Sequence, residues 1–176
     1  ARTGGGGPAA GAARDGVGRL GDACAEEPEP HAVRQGAGKP GGGLSNVPPA
    51  TLLAGLLREL VARTGLDTAH VAEAVFGCVT QQGEQAGNVG KVATLEAGWS
   101  DAISVATVNH YCASSLWAFS AAAARIATGD ELAVAGGVES MSRVPMASDK
   151  PPFIVDPATV RRLGAPPMGV SADAIA

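Results

Sequence analysis

An α/β fold with a mostly parallel sheet is what this sequence predicts, and three observations predict it. From Leu44 onwards the apolar residues switch repeatedly between a helical and an alternating period. The segments so defined run helix, strand, helix, strand, helix, strand, the order of a sheet wound through helical crossovers. A glycine stands at the end of each helical segment, at Gly65, Gly98 and Gly129, where a left-handed cap stops a helix.

The elements follow in order. Residues 49–64 carry Leu52, Leu53, Leu56, Leu57, Leu60 and Val61 at helical spacing, with Arg58, Glu59 and Arg63 off that stripe. Residues 74–80 are a short, β-leaning apolar run and predict a first strand. Residues 88–97 predict a second helix, and the alternation over residues 103–108 predicts a second strand. Residues 112–128 predict a third helix, rich in alanine and charged only at Arg125. Its stretch 116–126 reads as a buried core helix, with Trp117 and Phe119 as packing residues. Residues 132–135 predict a third strand, closed by Gly136 and Gly137. After Met141, prolines at 145, 151, 152, 157, 166 and 167 predict loop.

The 176 residues, 45% of them hydrophobic, suit one domain with or without an appendage. Residues 1–43 hold 13 of the 25 glycines, five basic and five acidic residues, and no apolar period. Residues 1–38 therefore read as a flexible Gly-rich head, because such a segment buries too little surface to offset its backbone entropy. A phosphate cradle would need a strand before the glycines and a helix after them, and neither pattern is visible. Residues 39–176 read as the folded part, with a core to about residue 142 and the start of a loop region over 143–176.

Net charge of −4 without a Lys or Arg run excludes a nucleic-acid footprint, and 3% aromatics exclude a stacking platform. The longest apolar stretch, residues 112–127, is too short for a membrane span and contains Arg125. No charged segment followed by an apolar one opens the chain. A cytoplasmic, reducing location with free thiols is the expectation. Cys24, Cys78 and Cys112 match neither a disulfide framework nor a zinc pattern, and His31, His70 and His110 add no ligand spacing, so no metal is expected.

Cys112 is the residue that can carry chemistry. It falls where a strand gives way to a helix, in Val108-Asn109-His110-Tyr111-Cys112-Ala113-Ser114-Ser115-Leu116. A helix N-terminus presents unpaired N–H groups and the positive end of the macrodipole, which favour a thiolate, the nucleophilic form. Small residues at 113–115 leave room for a substrate and for N–H groups to face a developing oxyanion. The alternative is a small buried hydrophobe, the common fate of a free cysteine. Cys78, inside a strand run, reads as structural. His110, two residues before Cys112, would share its side of an extended segment. It is a candidate base, or else a surface or packing histidine.

These residues lead to a resemblance. The chain carries Gly77-Cys78-Val79-Thr80-Gln81, Gly83-Glu84-Gln85 and Asn88. The segment around Cys112 follows, and then Ala135-Gly136-Gly137-Val138-Glu139-Ser140-Met141-Ser142-Arg143-Val144-Pro145-Met146. The last matching stretch is Pro167-Met168-Gly169-Val170-Ser171-Ala172-Asp173. With these blocks, residues 39–176 resemble the amino-terminal part of the thiolases, the acetyl-CoA C-acyltransferases. The resemblance implies a thiolase-like layered fold with a mostly parallel sheet and buried helices, its amino-terminal half only. It implies that Cys112 is the nucleophile that holds the acyl group of an acyl-CoA as a thioester. The reaction would be thiolytic cleavage of a 3-ketoacyl-CoA or condensation of acetyl-CoA. Met168 matches a segment bordering the pantetheine channel and is a candidate substrate contact. Residues 139–146 match a turn that is architecture and not chemistry.

The resemblance also implies acyl-CoA and CoA as partners, coenzyme A as a substrate, no tightly bound cofactor, and a homodimer or tetramer for the full-length enzyme. The family's later motifs, a histidine that activates the nucleophile and a second cysteine that serves as acid and base, are not in residues 113–176. This chain alone is therefore expected to be incomplete for turnover. A non-catalytic remnant or an acyl-CoA-binding module stays open as the alternative. The Gly-Gly-Val-Glu-Ser-Met-Ser block separates the chain from the related ketoacyl synthases. In the family a strand precedes an Arg-Thr-Pro segment. Here Ala32-Val33-Arg34-Gln35-Gly36 occupies that place, preceded by Glu26-Glu27-Pro28-Glu29-Pro30, which cannot serve as a central strand, so the first strand is expected to be missing. Cys-Ala-Ser-Ser at 112–115 and Lys91 depart from the family's commoner residues.

Overall fold

A computed structural model describes residues 41–176. The head read over residues 1–38, with Cys24, His31 and the question of a first strand, lies outside the described residues.

The first helix, α1, spans Pro49–Thr64. Pro49 opens it at the position where a missing N–H costs nothing. Gly65 ends it in the left-handed region at φ 67°, with its N–H donated to Val61. A single helical turn, Thr68–His70, leads into strand β1, Glu73–Gly77. A second turn, Gly83–Gln85, precedes α2, Val89–Glu96. Strand β2 is Ser104–Val108, α3 is Ser114–Ala127 and β3 is Ala133–Gly137. The predicted order holds, and the core element bounds differ from the predicted ones by no more than three residues.

Among the described residues the strands form one parallel sheet in the order β2-β1-β3. Gly77 lies opposite Val108 on one side and Gly137 on the other, so all three strands finish at one level. The pleat sorts the side chains of β1 by parity. Ala74 and Phe76, with Val134 of β3, join Leu53, Ala54 and Leu57 of α1 and Ala93 of α2 in the main core cluster. Gly77 faces the other way, onto the start of α3. The layers are thus α1 and α2, the sheet, and α3.

Close approach explains two glycines inside these elements, Gly90 and Gly77. A Cβ on Gly90 of α2 would stand 2.5 Å from the Phe76 ring. A Cβ on Gly77 would stand 2.5 Å from the Ser115 backbone nitrogen. Asn88 binds α2 to β2: its Oδ1 accepts from Lys91 N–H and the Thr107 hydroxyl, and its Nδ2 donates to Val105 C=O at 2.8 Å. Its left-handed φ of 63° is one that asparagine tolerates. Lys91 donates to the carbonyls of Asp101 and Ile103, pinning the turn before β2.

Two expectations need correction. The proline-rich segment after Met141 is not all loop. It holds three short helices, α4 at Pro152–Val155, α5 at Pro157–Leu163 and α6 at Met168–Ile175. Pro152 and Pro157 sit at the first turn, where proline starts a helix and does not break it. Asp156 caps α5 through Ala158 N–H, Thr159 N–H and the Thr159 hydroxyl, and these bonds, the hydroxyl first, hold its carboxyl below the usual range. The second correction concerns α3, which is buried only along Ser114, Ala118 and Ala122. That stripe repeats every four residues and lies on β1 and β3. Leu116 is 68% and Phe119 59% exposed, and Trp117 is exposed too, so these side chains do not pack within the described residues.

Candidate active site

The site forms at the C-terminal ends of the parallel strands, where open α/β sheets commonly bind their ligands. Three segments leave the sheet there: Cys78 to Thr80 after β1, Asn109 to Ala113 after β2, and Val138 to Ser140 after β3. Side chains tie them together. Asn109 Nδ2 donates to Val79 C=O at 3.1 Å. The Glu139 carboxylate accepts from Val79 N–H at 2.7 Å and from Thr80 N–H at 3.3 Å. Gln85, fully buried, donates its amide to Glu139 and to Thr80 C=O and accepts from Ser140 N–H at 2.6 Å. Residues 139–146 thus do structural work, and Arg143 extends it by forking onto Glu84, whose carboxyl it holds below the usual range.

The two described cysteines differ in kind. Cys78 is 1% exposed. Burial pushes its thiol up to about 12, and the charge of Glu139 and a hydrogen bond to it add to the effect. Such a thiol stays protonated at neutral pH and is not a nucleophile. Cys112 is exposed. It lies two positions before the first helical residue of α3, which has no side-chain cap at its N-terminus. The helix-start placement read from the sequence is met, with the helix beginning at Ser114 and not at Cys112.

The backbone that presents Cys112 is a tight turn and not a continuation of β2. Tyr111 adopts φ 51°, in the left-handed region. Ser114 Oγ accepts from His110 N–H at 2.8 Å and donates to Tyr111 C=O at 2.5 Å. Asn109 Oδ1 accepts from Tyr111 N–H at 2.9 Å. The Tyr111 ring meets Phe153 of α4 edge to face, with centroids 5.7 Å apart. This turn removes the argument for His110 as a base. Side chains two apart share a side only in extended backbone, and Tyr111 is not extended. Among the described residues no hydrogen bond joins the His110 imidazole to the Cys112 thiol. Met168 opens α6 and is 82% exposed.

Sequence pattern does not single out Asn109 and Ser114. A signal was present: asparagine at a strand end bonds its own backbone two residues on, and Ser114 follows in the same motif. Among the described residues no group of three His, Cys, Asp or Glu side chains could hold a metal. No described helix is long and apolar enough to cross a membrane.

Comparison with known proteins bears on the family and the fold. A family model described as the N-terminal domain of thiolase matches residues 31–159. The chain is 41% identical over 118 residues to a steroid 3-ketoacyl-CoA thiolase of Mycobacterium tuberculosis, covering 66% of this chain and 29% of that protein. It is 43% identical over 120 residues to a 3-oxoadipyl-CoA/3-oxo-5,6-dehydrosuberyl-CoA thiolase of Escherichia coli, covering 67% of this chain and 30% of that protein. The acetyl-CoA acetyltransferase of Bacillus anthracis superposes with a TM-score of 0.57 at 38% identity, over 61% of this chain and 27% of that one. The chain therefore spans under a third of the length of these relatives. A parallel sheet ending at a cysteine turn, and a family match over residues 31–159, together establish that the chain belongs to the thiolase family and carries its N-terminal domain.

Proposed function

We propose that the protein is the nucleophile-bearing part of an acyltransferase in which Cys112 forms an acyl-thioester from an acyl-CoA. One observation carries the reading: Cys112 is the exposed thiol of the described residues, at an uncapped helix start, whereas Cys78 is buried and protonated. With a 3-ketoacyl-CoA, the Cys112 thiolate adds to the 3-keto carbon. The bond between C2 and C3 then breaks, and acetyl-CoA leaves after its enolate takes a proton. The shortened acyl group stays on Cys112 until a second CoA thiol attacks the thioester and releases the enzyme. Run in reverse with acetyl groups, the same steps condense two acetyl-CoA molecules. Coenzyme A is thus substrate and not cofactor. Tyr111 C=O accepts the Ser114 N–H, so the N–H groups of Ser115 and Leu116 in the first turn of α3 are the candidates for the oxyanion that forms at the attacked carbonyl. Met168, exposed on α6, is a candidate contact for the pantetheine arm.

Acylation and deacylation differ in their demands. Both directions require proton transfer at the thioester, a contribution worth about 10² to 10⁴ in rate. Among the described residues neither an imidazole nor a carboxylate is hydrogen-bonded to Cys112. We therefore expect acetylation of Cys112 to outrun thiolysis on this chain. The test is incubation with acetyl-CoA, with mass spectrometry of the Cys112 peptide, alongside an acetoacetyl-CoA thiolysis assay. Acetylation at Cys112 that is absent in Cys112→Ser supports the reading. Absence of acetyl transfer to Cys112 overturns it.

A further inference from the structure

We propose that Asn109 and Ser114 are positioning residues that hold the Cys112 thiol at the mouth of α3 by clamping Tyr111 in a left-handed conformation. The inference rests on the acyl-cysteine reading for its catalytic meaning, and on geometry for its content. A tyrosine at φ 51° is held against its own preference. Such a conformation is unfavourable by itself and persists only where its surroundings over-determine it. Here the surroundings do so from both sides. The N–H of Tyr111 is taken by Asn109 Oδ1 at 2.9 Å, and its C=O accepts from Ser114 Oγ at 2.5 Å and from Ser114 N–H at 3.0 Å. Ser114 also takes His110 N–H at 2.8 Å, so one hydroxyl bridges both ends of the turn. Asn109 is itself anchored, through Nδ2, to Val79 of the neighbouring strand segment. The Val79 N–H ends on Glu139. The turn is therefore referenced to all three strand ends.

The consequence falls on the next residue. With Tyr111 left-handed, the chain reverses direction and delivers Cys112 just ahead of the first helical turn. With Tyr111 extended, Cys112 would continue the line of β2 and leave the α3 N-terminus. Ser114 is buried and cannot shift to compensate, because its Cβ and the Ser115 nitrogen lie against Gly77.

The experiment measures iodoacetamide labelling of Cys112 across pH, in a Cys24→Ser background, by peptide mapping. Cys78 is the internal control, since it labels only if the fold opens. Ser114→Ala and Asn109→Ala are expected to slow Cys112 labelling about ten- to a hundred-fold at each pH, with Cys78 still protected. Asn109→Asp keeps the acceptor for Tyr111 N–H and is expected to recover part of the rate. Tyr111→Gly adopts positive φ freely, so it should suppress the Ser114→Ala defect. If Ser114→Ala exposes Cys78, the exposed Asn109 decides. Asn109→Ala labelling within about twofold of the wild-type rate overturns the proposal, as does slowing that appears only together with Cys78 labelling. The acyl-cysteine reading fails separately: acetyl-CoA would leave wild-type Cys112 unmodified, while the labelling rates would still report on the clamp.

Discussion

The Glu139 carboxylate accepts the backbone N–H of Val79 at 2.7 Å, joining residues sixty positions apart. The parallel register brings them together, because Gly77 and Gly137 are direct partners and each chain runs two residues further. A carboxylate in that place satisfies N–H groups that the sheet has stopped pairing. It also raises the Cys78 thiol next to it. One side chain therefore closes the sheet end and helps keep the buried cysteine protonated, while Cys112 is the exposed thiol of the described residues.

Replacing Glu139 should expose this dependence. Glu139→Ala removes the acceptor for Val79 and Thr80 N–H and one partner of the buried Gln85 amide. Hydrogen bonds to a charged group are worth about 1.5–3 kcal/mol each when lost, so a destabilisation of about 2 kcal/mol or more is expected by urea unfolding. Glu139→Gln should fall between, since one of its two terminal atoms no longer accepts.

Alkaline pH should weaken the fold through Cys78. Its thiol rises from 9.0 to about 12 on folding, so the unfolded chain loses that proton first. The unfolded state then binds fewer protons, and stability falls as pH rises. The contribution is fully present below pH 9 and is lost progressively towards pH 12. Cys78→Ala should remove this part of the slope. Equal alkaline slopes for wild type and variant in equilibrium unfolding would contradict it.

Gly77→Ala should be poorly tolerated although its backbone is ordinary. The added Cβ would meet Ser115 N at 2.5 Å and the Ser114 carbonyl carbon at 2.6 Å, and backbone atoms cannot rotate away. Overpacking of this kind costs about 1–3 kcal/mol. Because α3 must move to relieve it, Cys112 labelling should slow as well. Thermal unfolding and labelling should therefore change together.

The outward face of α3 should bind a hydrophobic dye. Leu116, Trp117 and Phe119 are all exposed there, and contiguous apolar surface attracts such probes. Trp117→Glu with Phe119→Glu should cut 8-anilinonaphthalene-1-sulfonate fluorescence severalfold. Stability should stay within about 0.5 kcal/mol, as is usual for exposed positions. Unchanged fluorescence would place the dye-binding surface elsewhere.

Much of this protein was legible as local pattern. The leucine stripe of α1, the alternation in β2 and the terminating glycines depend on neighbours within a few residues, and the element order followed from them. The motif around Cys112 and the Gly-Gly-Val-Glu-Ser-Met-Ser-Arg block carried the family, and the comparisons bear that out. The prolines after Met141 misled because proline forbids a helix interior but favours its first turn, and the two cases look alike until the following residues close their hydrogen bonds.

What the tertiary structure decided is which side chains meet. Periodicity shows that α3 is apolar; it does not show that the helix buries its small residues and turns Leu116 and Phe119 outward. The choice was made by Gly77 and Gly137, whose missing side chains let α3 settle on the sheet through Ser114, Ala118 and Ala122. Likewise the sequence names Cys112 and its neighbours but not the left-handed Tyr111 between His110 and the thiol. That conformation is uphill for the residue alone. It exists because Asn109 and Ser114 bind both of its backbone groups, and because a parallel register brings Val79 and Glu139 to the same sheet end. A sequence records propensities one neighbourhood at a time; a strained turn at a site is stabilised by contacts made from outside its own neighbourhood.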